Sequence, residues 1–473
     1  MKLFPMRRFA SGALEVAFFA TFASGNAIAQ ITTVTVSSPT ANKPVSSREQ
    51  AIFKKAEAAI DADSPRLIAM YKDIHQNPEL GFMEVRTAEI IAKELKDLGF
   101  EVQTGIGKTG VVGVLRNGPG PTVMYRADMD ANAVEEITGL PYASKVRVKR
   151  EDGSETAVAH MCGHDAHVTW MLGMAKVMAA MKQDWRGTLV LVGQPAEEPI
   201  LGAKAMVDDG LYTKSKVPVP DYFIGIHATP GPTGVIANVG GVRMAGTDQI
   251  DILFHGVGGH GAMPQFTKDP VIMAALAVVE YQMIVSRVVD PQETAVLTVG
   301  SIQAGSDNNV IPGEALVKAN LRWFHSSVRD QMIGGIKQIS NSIATAYGMP
   351  ADQLPTFTMK GGSTPLVNDP NLVARLNVPL KELVGDKNVV SEFPPATGSE
   401  DVHLLMGDHK IPFDYILVGI ADPEVFAEAR KQGKFLPYSN HNGDFRVDPK
   451  AIPVGTKVAT IAVLDLMTKS SAN

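Results

Sequence analysis

The period of the hydrophobic positions changes several times along the chain. Over 47–76, "SREQAIFKKAEAAIDADSPRLIAMYKDIHQ", apolar residues recur at helical spacing. "TAEIIAKELKDLGF" repeats the pattern, with Thr87 as the expected cap and Gly99 as the stop. "GVVGVLRNGPGPTVMYRADMD" reads as strand, Gly/Pro turn, strand, and "DAHVTWMLGMAKVMAAMK" as an apolar helix. "GTLVLVGQ" and "DYFIGIHA" are short unbroken apolar runs, the mark of strands buried on both faces; "AKAMVDDG" between them reads as a helix ending at Gly210. Strands alternating with helices predict an α/β fold, a sheet with helices on both faces.

Between Thr247 and Lys360 the order changes to strand (248–256), helix (269–288), two strands (294–303 and 314–324), helix (327–347) and strand (354–360). This β-α-β-β-α-β order, with its central strands joined by the turn-rich "QAGSDNNVIPG", is the ferredoxin-like split unit. It reads as a separate domain inserted into the first. The α/β pattern resumes after "GGSTPLVNDP", includes the strand "FDYILVGI", and closes on a helix with Asp448 as cap and Pro449 at its first position. The expected division is 46–246 and 362–473 for the two parts of the α/β domain and 247–361 for the insert. Residues 421–447 form a long connection of the kind that often carries function.

The N-terminus stands outside this pattern. Lys2, Arg7 and Arg8 precede a mostly apolar, small-residue stretch that only Glu15 interrupts, and Ala27-Ile28-Ala29 fits the small-x-small cleavage rule. Residues 1–29 are therefore expected to be an export signal and 30–45 a disordered leader, placing the mature protein in the periplasm or the medium. Arg7-Arg8 leaves both the general and the twin-arginine route open. No stretch beyond the signal reads as long and apolar enough to span a bilayer, so no membrane association is expected after cleavage. A net charge of −6 argues against nucleic acid, which favours basic patches. With one cysteine no internal disulfide forms, and the fold rests on a core that 45% hydrophobic content can supply.

That cysteine lies in "AVAHMCGHDAHVTW", among three histidines. Three further segments hold potential ligands: "GQPAEEP", "IGIHATP" and "YSNHNGDF". The second and third of the four follow or end buried strands, and open α/β sheets bind ligands at the carboxyl ends of their strands. Singly, each group has a bland role: a hydrogen-bonded core histidine, a solvated acid pair, an inert buried thiol. Together on four strand ends, a thiolate, imidazoles and a carboxylate suit a borderline divalent metal such as zinc, manganese, cobalt or nickel. Cys162 and His164, two apart, point the same way on an extended backbone. His160 and His167 are rival ligands in the same segment; His167 falls inside the helix pattern and His160 precedes the turn.

The ordered motifs "RADMDA", "CGHDAH", "QPAEE", "GGHGAMP", "NVIPGEA", "GSED" and "NHNGDF" resemble the dinuclear metallo-amidohydrolase family that includes hippurate hydrolase, plant auxin-conjugate hydrolases and N-acetyl-diaminopimelate deacetylase. The resemblance runs from "HQNPELGFMEVRTA" to the final helix. It implies a metallopeptidase-type α/β catalytic domain with the insert as a satellite domain through which two copies pair. It further implies two divalent ions per chain held by Cys162, His164, Glu198, His227 and His441, with Glu197 as general base. A two-metal site, its ions roughly 3.5–4 Å apart, acidifies a bound water. A carboxylate beside it then moves the proton. His260 matches a histidine that reaches a partner's active site and polarises the scissile carbonyl. Asn309 and Arg322 match positions that hold the substrate's free carboxylate. Asp128 and Asp130 read as groups that orient the ligands.

Asn132, Pro199-Ile200-Leu201 and Gln265 depart from the family pattern at positions expected to line the cleft, which bears on substrate identity. The expected activity is hydrolysis of the amide of an N-acyl amino acid or related small conjugate. A dipeptidase or carboxypeptidase on the same scaffold, or a non-catalytic binding homologue, are the alternatives.

Overall fold

The computed structural model describes residues 44–149 and 153–468. The expected export signal and nearly all of the 30–45 leader lie outside the described residues.

The main sheet runs, by strand range, Glu101–Ile106, Gly110–Asn117, Gly187–Gln194, Thr122–Asp128, Tyr222–Pro232 and Phe413–Ala421, ending on two short strands, Ile236–Ala237 and Val389–Val390. Its central pairs are parallel: Thr122–Asp128 with both Gly187–Gln194 and Tyr222–Pro232, and the latter with Phe413–Ala421. Alternation places Leu189 and Leu191 in one core and Val190 and Val192 in the other, so both faces are covered, as the unbroken apolar runs required. The larger core packs α1 (Ser47–Gln76), α2 (Val85–Asp97) and α3 (His164–Ala180) on one face; α4 (Gly202–Asp208) belongs to the other core.

The second sheet takes the order Ala295–Ala304, Glu314–Trp323, Gly246–His255, Thr356–Ser363, all antiparallel, with α5 (Pro270–Met283) and α6 (Ser326–Ala346) packed against it. This is the ferredoxin-like arrangement the pattern called for. Its core, from Ile250 to Met349, draws on no residue of the main sheet. α7 (Pro370–Val384), α8 (Pro423–Lys431) and α9 (Ala451–Met467) complete the chain.

Four expectations need correction. Thr87 does not cap α2: it lies inside the helix, and its N–H and hydroxyl both bond the Glu79 carboxylate, at 2.8 and 3.0 Å. The last helix begins at Ala451, after Asp448 has accepted the Lys450 N–H at 3.0 Å in a preceding turn. The 421–447 connection carries a helix of its own, α8. Finally, Pro270–Val288, α5 with its π-helical continuation, is 19 residues long and apolar enough by length and composition to cross a bilayer. It packs instead on the second sheet through Met273, Ala274, Ala277, Tyr281 and Ile284.

Candidate metal centre and active-site cleft

The predicted ligands converge at the carboxyl edge of the main sheet. Asp128 ends one central strand; the strand ending at Gln194 delivers Glu197 and Glu198; α3 opens on His164. His227 lies inside its strand, which continues to Pro232. Cys162 and His164 are not on extended backbone: Gly163 between them is left-handed (φ 90°) and caps α3. A Cβ on Gly163 would come within 2.7 Å of Ala228 Cβ, so only glycine permits this close turn against the neighbouring strand.

Cys162, Glu198 and His441 present ligand atoms within 4.8 Å of one another; so do His164, Glu197 and Glu198, and so do Asp128, His164, His167 and His227. Glu198 thus joins two groups, with Oε2 3.2 Å from His441 Nε2 and Oε1 3.8 Å from His164 Nε2. Cys162 Sγ is 3.6 Å from His227 Nε2 and accepts the Asn440 amide at 3.4 Å.

The ring nitrogens separate ligand from support. His227 Nδ1 bonds the Ala228 carbonyl at 2.6 Å, and His164 Nδ1 the Asp130 carbonyl at 2.8 Å. Each ring therefore turns Nε2 inward, as metal-bound imidazoles do. Among the described residues His164 Nε2 and Glu198 Oε1 are buried without a hydrogen-bond partner, which costs free energy unless a cation faces them. His167 has both nitrogens engaged, Nδ1 with Asp128 at 2.5 Å and Nε2 with the Ala228 N–H at 2.7 Å. It is spent on structure. His160 is buried, and among the described residues neither ring nitrogen has a partner and it belongs to none of these groups.

Backbone strain shapes the loops. Ala196, Ile200 and His441 take positive φ (46°, 59° and 62°), uncommon for residues with a side chain. Asp130 accepts the Glu197 and Glu198 N–H groups at 3.1 and 3.0 Å, and Glu84 accepts that of Ala196 at 2.8 Å. Three consecutive amides are thereby fixed by two buried carboxylates, which directs the adjacent acids.

Electrostatics follow. Burial and Glu198 push the Cys162 thiol up, but His227 and His164 bring it down to about 6. Against burial, His441 and His164 hold Glu198 down at about 2. Glu197 moves the other way, raised well above the carboxylate range by burial and by the charges of Glu400 and Glu198. Two adjacent acids are therefore driven apart, the arrangement that separates a ligand from a proton carrier.

Several contributors were not singled out from sequence. Arg126, fully buried, pairs with Asp128 and Glu400 at 2.7 Å each, and the Tyr415 hydroxyl donates to Glu400 at 2.6 Å. His75 Nδ1 meets Asp165, the neighbour of His164, at 2.6 Å. Their segments, "RADMDA", "GSED" and "HQNPELGF", were visible; their pairing across the fold was not.

A cavity of ≈ 400 Å³ opens on the cluster, lined by Cys162, Glu197, Glu198, His227 and His441, and from the second sheet by Thr247, Gln249 and Arg322. Arg322 is tied by Nη1 to Ser399 Oγ at 2.5 Å and by Nε to Asn320 at 2.8 Å. Asn309 does not join it. Arg322 pairs with Thr247 at one end of its strand, whereas Asn309 lies beyond the other end, where Glu314 pairs with His255. That separation is on the order of 25 Å along the strand. Asn309 and His260 are exposed and adjacent: Gly261 N–H bonds the Asn309 carbonyl at 2.8 Å, and His260 pairs with Val310. Of the three departures from the family pattern, Ile200 lines the cavity. Asn132 is buried beneath it, accepting the Met161 N–H at 3.1 Å, and Gln265 sits on the exposed Pro264–Phe266 turn.

Comparison with known proteins agrees with this geometry. The model of peptidase family M20/M25/M40 matches residues 124–460. Hippurate hydrolase of Campylobacter jejuni is 40% identical over 331 residues, 69% of this chain and 82% of that protein. IAA-amino acid hydrolase ILR1-like 2 of Arabidopsis thaliana is 32% identical over 407 residues, 86% of each chain. The crystal structure of the Bacillus subtilis YXEP protein, described as a dinuclear metal binding peptidase, superposes with a TM-score of 0.65 at 25% identity, covering 85% of this chain and 98% of that one. Fold and cluster together define a metal-dependent hydrolase of amide bonds. The chain belongs to peptidase family M20/M25/M40.

Proposed function

We propose that this protein is an exported amidohydrolase that releases the amino acid from small N-acyl amino acids or related conjugates. The observation that carries the reading is the convergence of Cys162, His164, Glu198 and His441 into groups whose ligand atoms lie within 4.8 Å of one another at the cavity, with Glu197 beside them, 3.8 Å from His164. Cys162, His164, Glu198, His227 and His441 would hold two divalent ions, which supply an acidified water and a Lewis-acid contact to the carbonyl. Glu197 takes the proton of the attacking water and returns it to the leaving nitrogen. Arg322 takes the substrate carboxylate in its planar fork. Ile200, Val239, Met244, Phe393 and Leu417 form an apolar wall for the acyl group.

His260 and Asn309, far from this cavity in their own chain, would act in the cavity of a second copy, pairing through residues 247–361 as a distinct domain. The apolar face that α5 leaves exposed, with Ile272, Leu276, Val279 and Met283, supports such pairing. Export rests on the first 29 residues; sequencing of the secreted protein should start at Gln30, and an intact Met1 would refute it.

The direct test is hydrolysis of hippurate and N-acetyl amino acids by protein supplied with manganese or zinc. Release of the free amino acid, abolished by a chelator, is expected. Metal-loaded, folded protein that cleaves none of them would exclude the reading.

A further inference from the structure

The cavity holds a second cation that the proposed reaction does not use. Arg243 lies on the short strand Gly241–Met244, partly buried, and lines the same cavity as Cys162, Glu198 and Arg322. Among the described residues its side chain makes one hydrogen bond, from Nη2 to the Phe393 carbonyl at 2.7 Å. Among the described residues neither Arg243 nor Arg322 has a carboxylate partner; their bonds go to a carbonyl, an amide and a hydroxyl. Burial depresses the basicity of both, and no neighbouring acid offsets it. Of the three acids that line the cavity, Glu198 pairs with His441, Glu400 with Arg126, and Glu197 faces His164 at 3.8 Å.

An unpaired guanidinium withdrawn from water is costly, and an anion arriving with the substrate removes that cost. The bond to Phe393 fixes the plane of the fork and leaves most of its five donors free. The 391–398 segment that supplies Phe393 is itself pinned to this strand, since Ala396 N–H bonds the Arg243 carbonyl at 2.9 Å. The fork is therefore preorganised. A monoanionic N-acyl amino acid needs one such clamp; the cavity offers two.

Resting on the amidohydrolase reading, we infer that Arg243 is a specificity-determining residue that binds a second carboxylate, so that dianionic N-acyl amino acids are the preferred substrate class. The second carboxylate sits either on the amino-acid side chain or on the acyl group. N-benzoyl-glutamate against N-benzoyl-glutamine probes the first source. N-succinyl-phenylalanine against its succinamoyl analogue probes the second. Within each pair the two compounds are nearly the same size and shape, and the carboxylate's charge is replaced by a neutral amide.

One acid is expected to exceed its amide in kcat/KM by roughly ten- to hundredfold, the range of one charge-assisted hydrogen-bond pair, and Arg243→Gln should abolish that ratio mainly through KM. Arg243→Met, which keeps the aliphatic stem, serves in its place if the glutamine variant does not fold. A merely structural role, anchoring the Phe393 segment, would lower acid and amide alike and leave the ratio intact. No preference in either pair, or a preference that survives the substitution, overturns the assignment. Calorimetric binding of the same compounds in the Glu197→Gln background separates the two readings. Acid-selective binding without turnover of any amide by the unsubstituted protein sinks the amidohydrolase reading and keeps the Arg243 assignment. Turnover of hippurate without acid preference does the reverse.

Discussion

Cys162 is buried, yet its thiol is brought down to about 6 by His227 and His164, and an Asn440 amide donates to its sulfur. An inert core thiol would be raised instead. The same contrast divides the neighbouring acids. Glu198 approaches two histidines, His441 at 3.2 Å and His164 at 3.8 Å, whereas among the described residues Glu197 pairs with one histidine, His164, at 3.8 Å. Glu197→Gln keeps the size and shape of the side chain but cannot accept a proton. Turnover should fall about 10²- to 10⁴-fold. Metal content, measured by plasma mass spectrometry, and KM should change little. Glu198→Gln and Cys162→Ala should lose metal together with activity. A Glu197→Gln protein that loses its metal while Glu198→Gln keeps it would exchange the two roles; near-normal turnover in Glu197→Gln would rule the mechanism out.

At the scale of elements, the main strands were legible because burial on both faces makes their sequences mostly unbroken apolar runs. The second sheet was legible because its helices and strands alternate in a fixed order. The ligand segments were legible because metal chemistry restricts residue types. The pairings behind them were not. Arg126 and Glu400 lie 274 residues apart, and nothing local announces that a buried strand arginine will meet that acid. Caps failed for a related reason: Thr87 is drawn off by Glu79, a tertiary contact that overrides local preference. Asp414, on the central strand Phe413–Ala421, is another charge hidden in an apolar run. It is buried, its Oδ2 accepts from the Asn238 amide at 3.0 Å, and burial pushes it up to about 7. A carboxyl raised in the folded state binds its proton where the unfolded chain has released it. Its contribution is therefore complete below about pH 4 and is lost as pH rises to about 7, at about 1.4 kcal/mol per unit of separation. Asp414→Asn should remove that loss. Its denaturation midpoint should exceed that of the unsubstituted protein at pH 7.5 and converge with it toward pH 4. A difference independent of pH would place the titration elsewhere.

For the whole molecule, the cavity is built from both sheets, yet His260 and Asn309 stand at the far end of the second one, exposed. If they act in catalysis they do so in another copy's cavity, and closed symmetry then gives each of two cavities one borrowed histidine. This arrangement has a consequence that no cis arrangement shares. Glu197→Gln and His260→Ala are each expected to be nearly inactive as pure preparations. In a mixed dimer the two lesions fall in the same cavity: the chain with glutamine at 197 receives the altered 260 position. The other cavity has an intact Glu197 and receives an intact His260. Co-expression of the two variants with separate tags, followed by purification through both tags, isolates the mixed species. It should recover about half of the unsubstituted activity per dimer, and an unselected mixture about a quarter. Should the doubly purified species stay as inactive as its parents while running as a dimer in sedimentation, His260 does not act across the interface. A charge on the exposed face of α5, as in Leu276→Asp, provides the complementary reading. It should shift the protein to monomer and lower turnover in proportion to the dimer lost. A fully active monomer would confine catalysis to the residues of one chain.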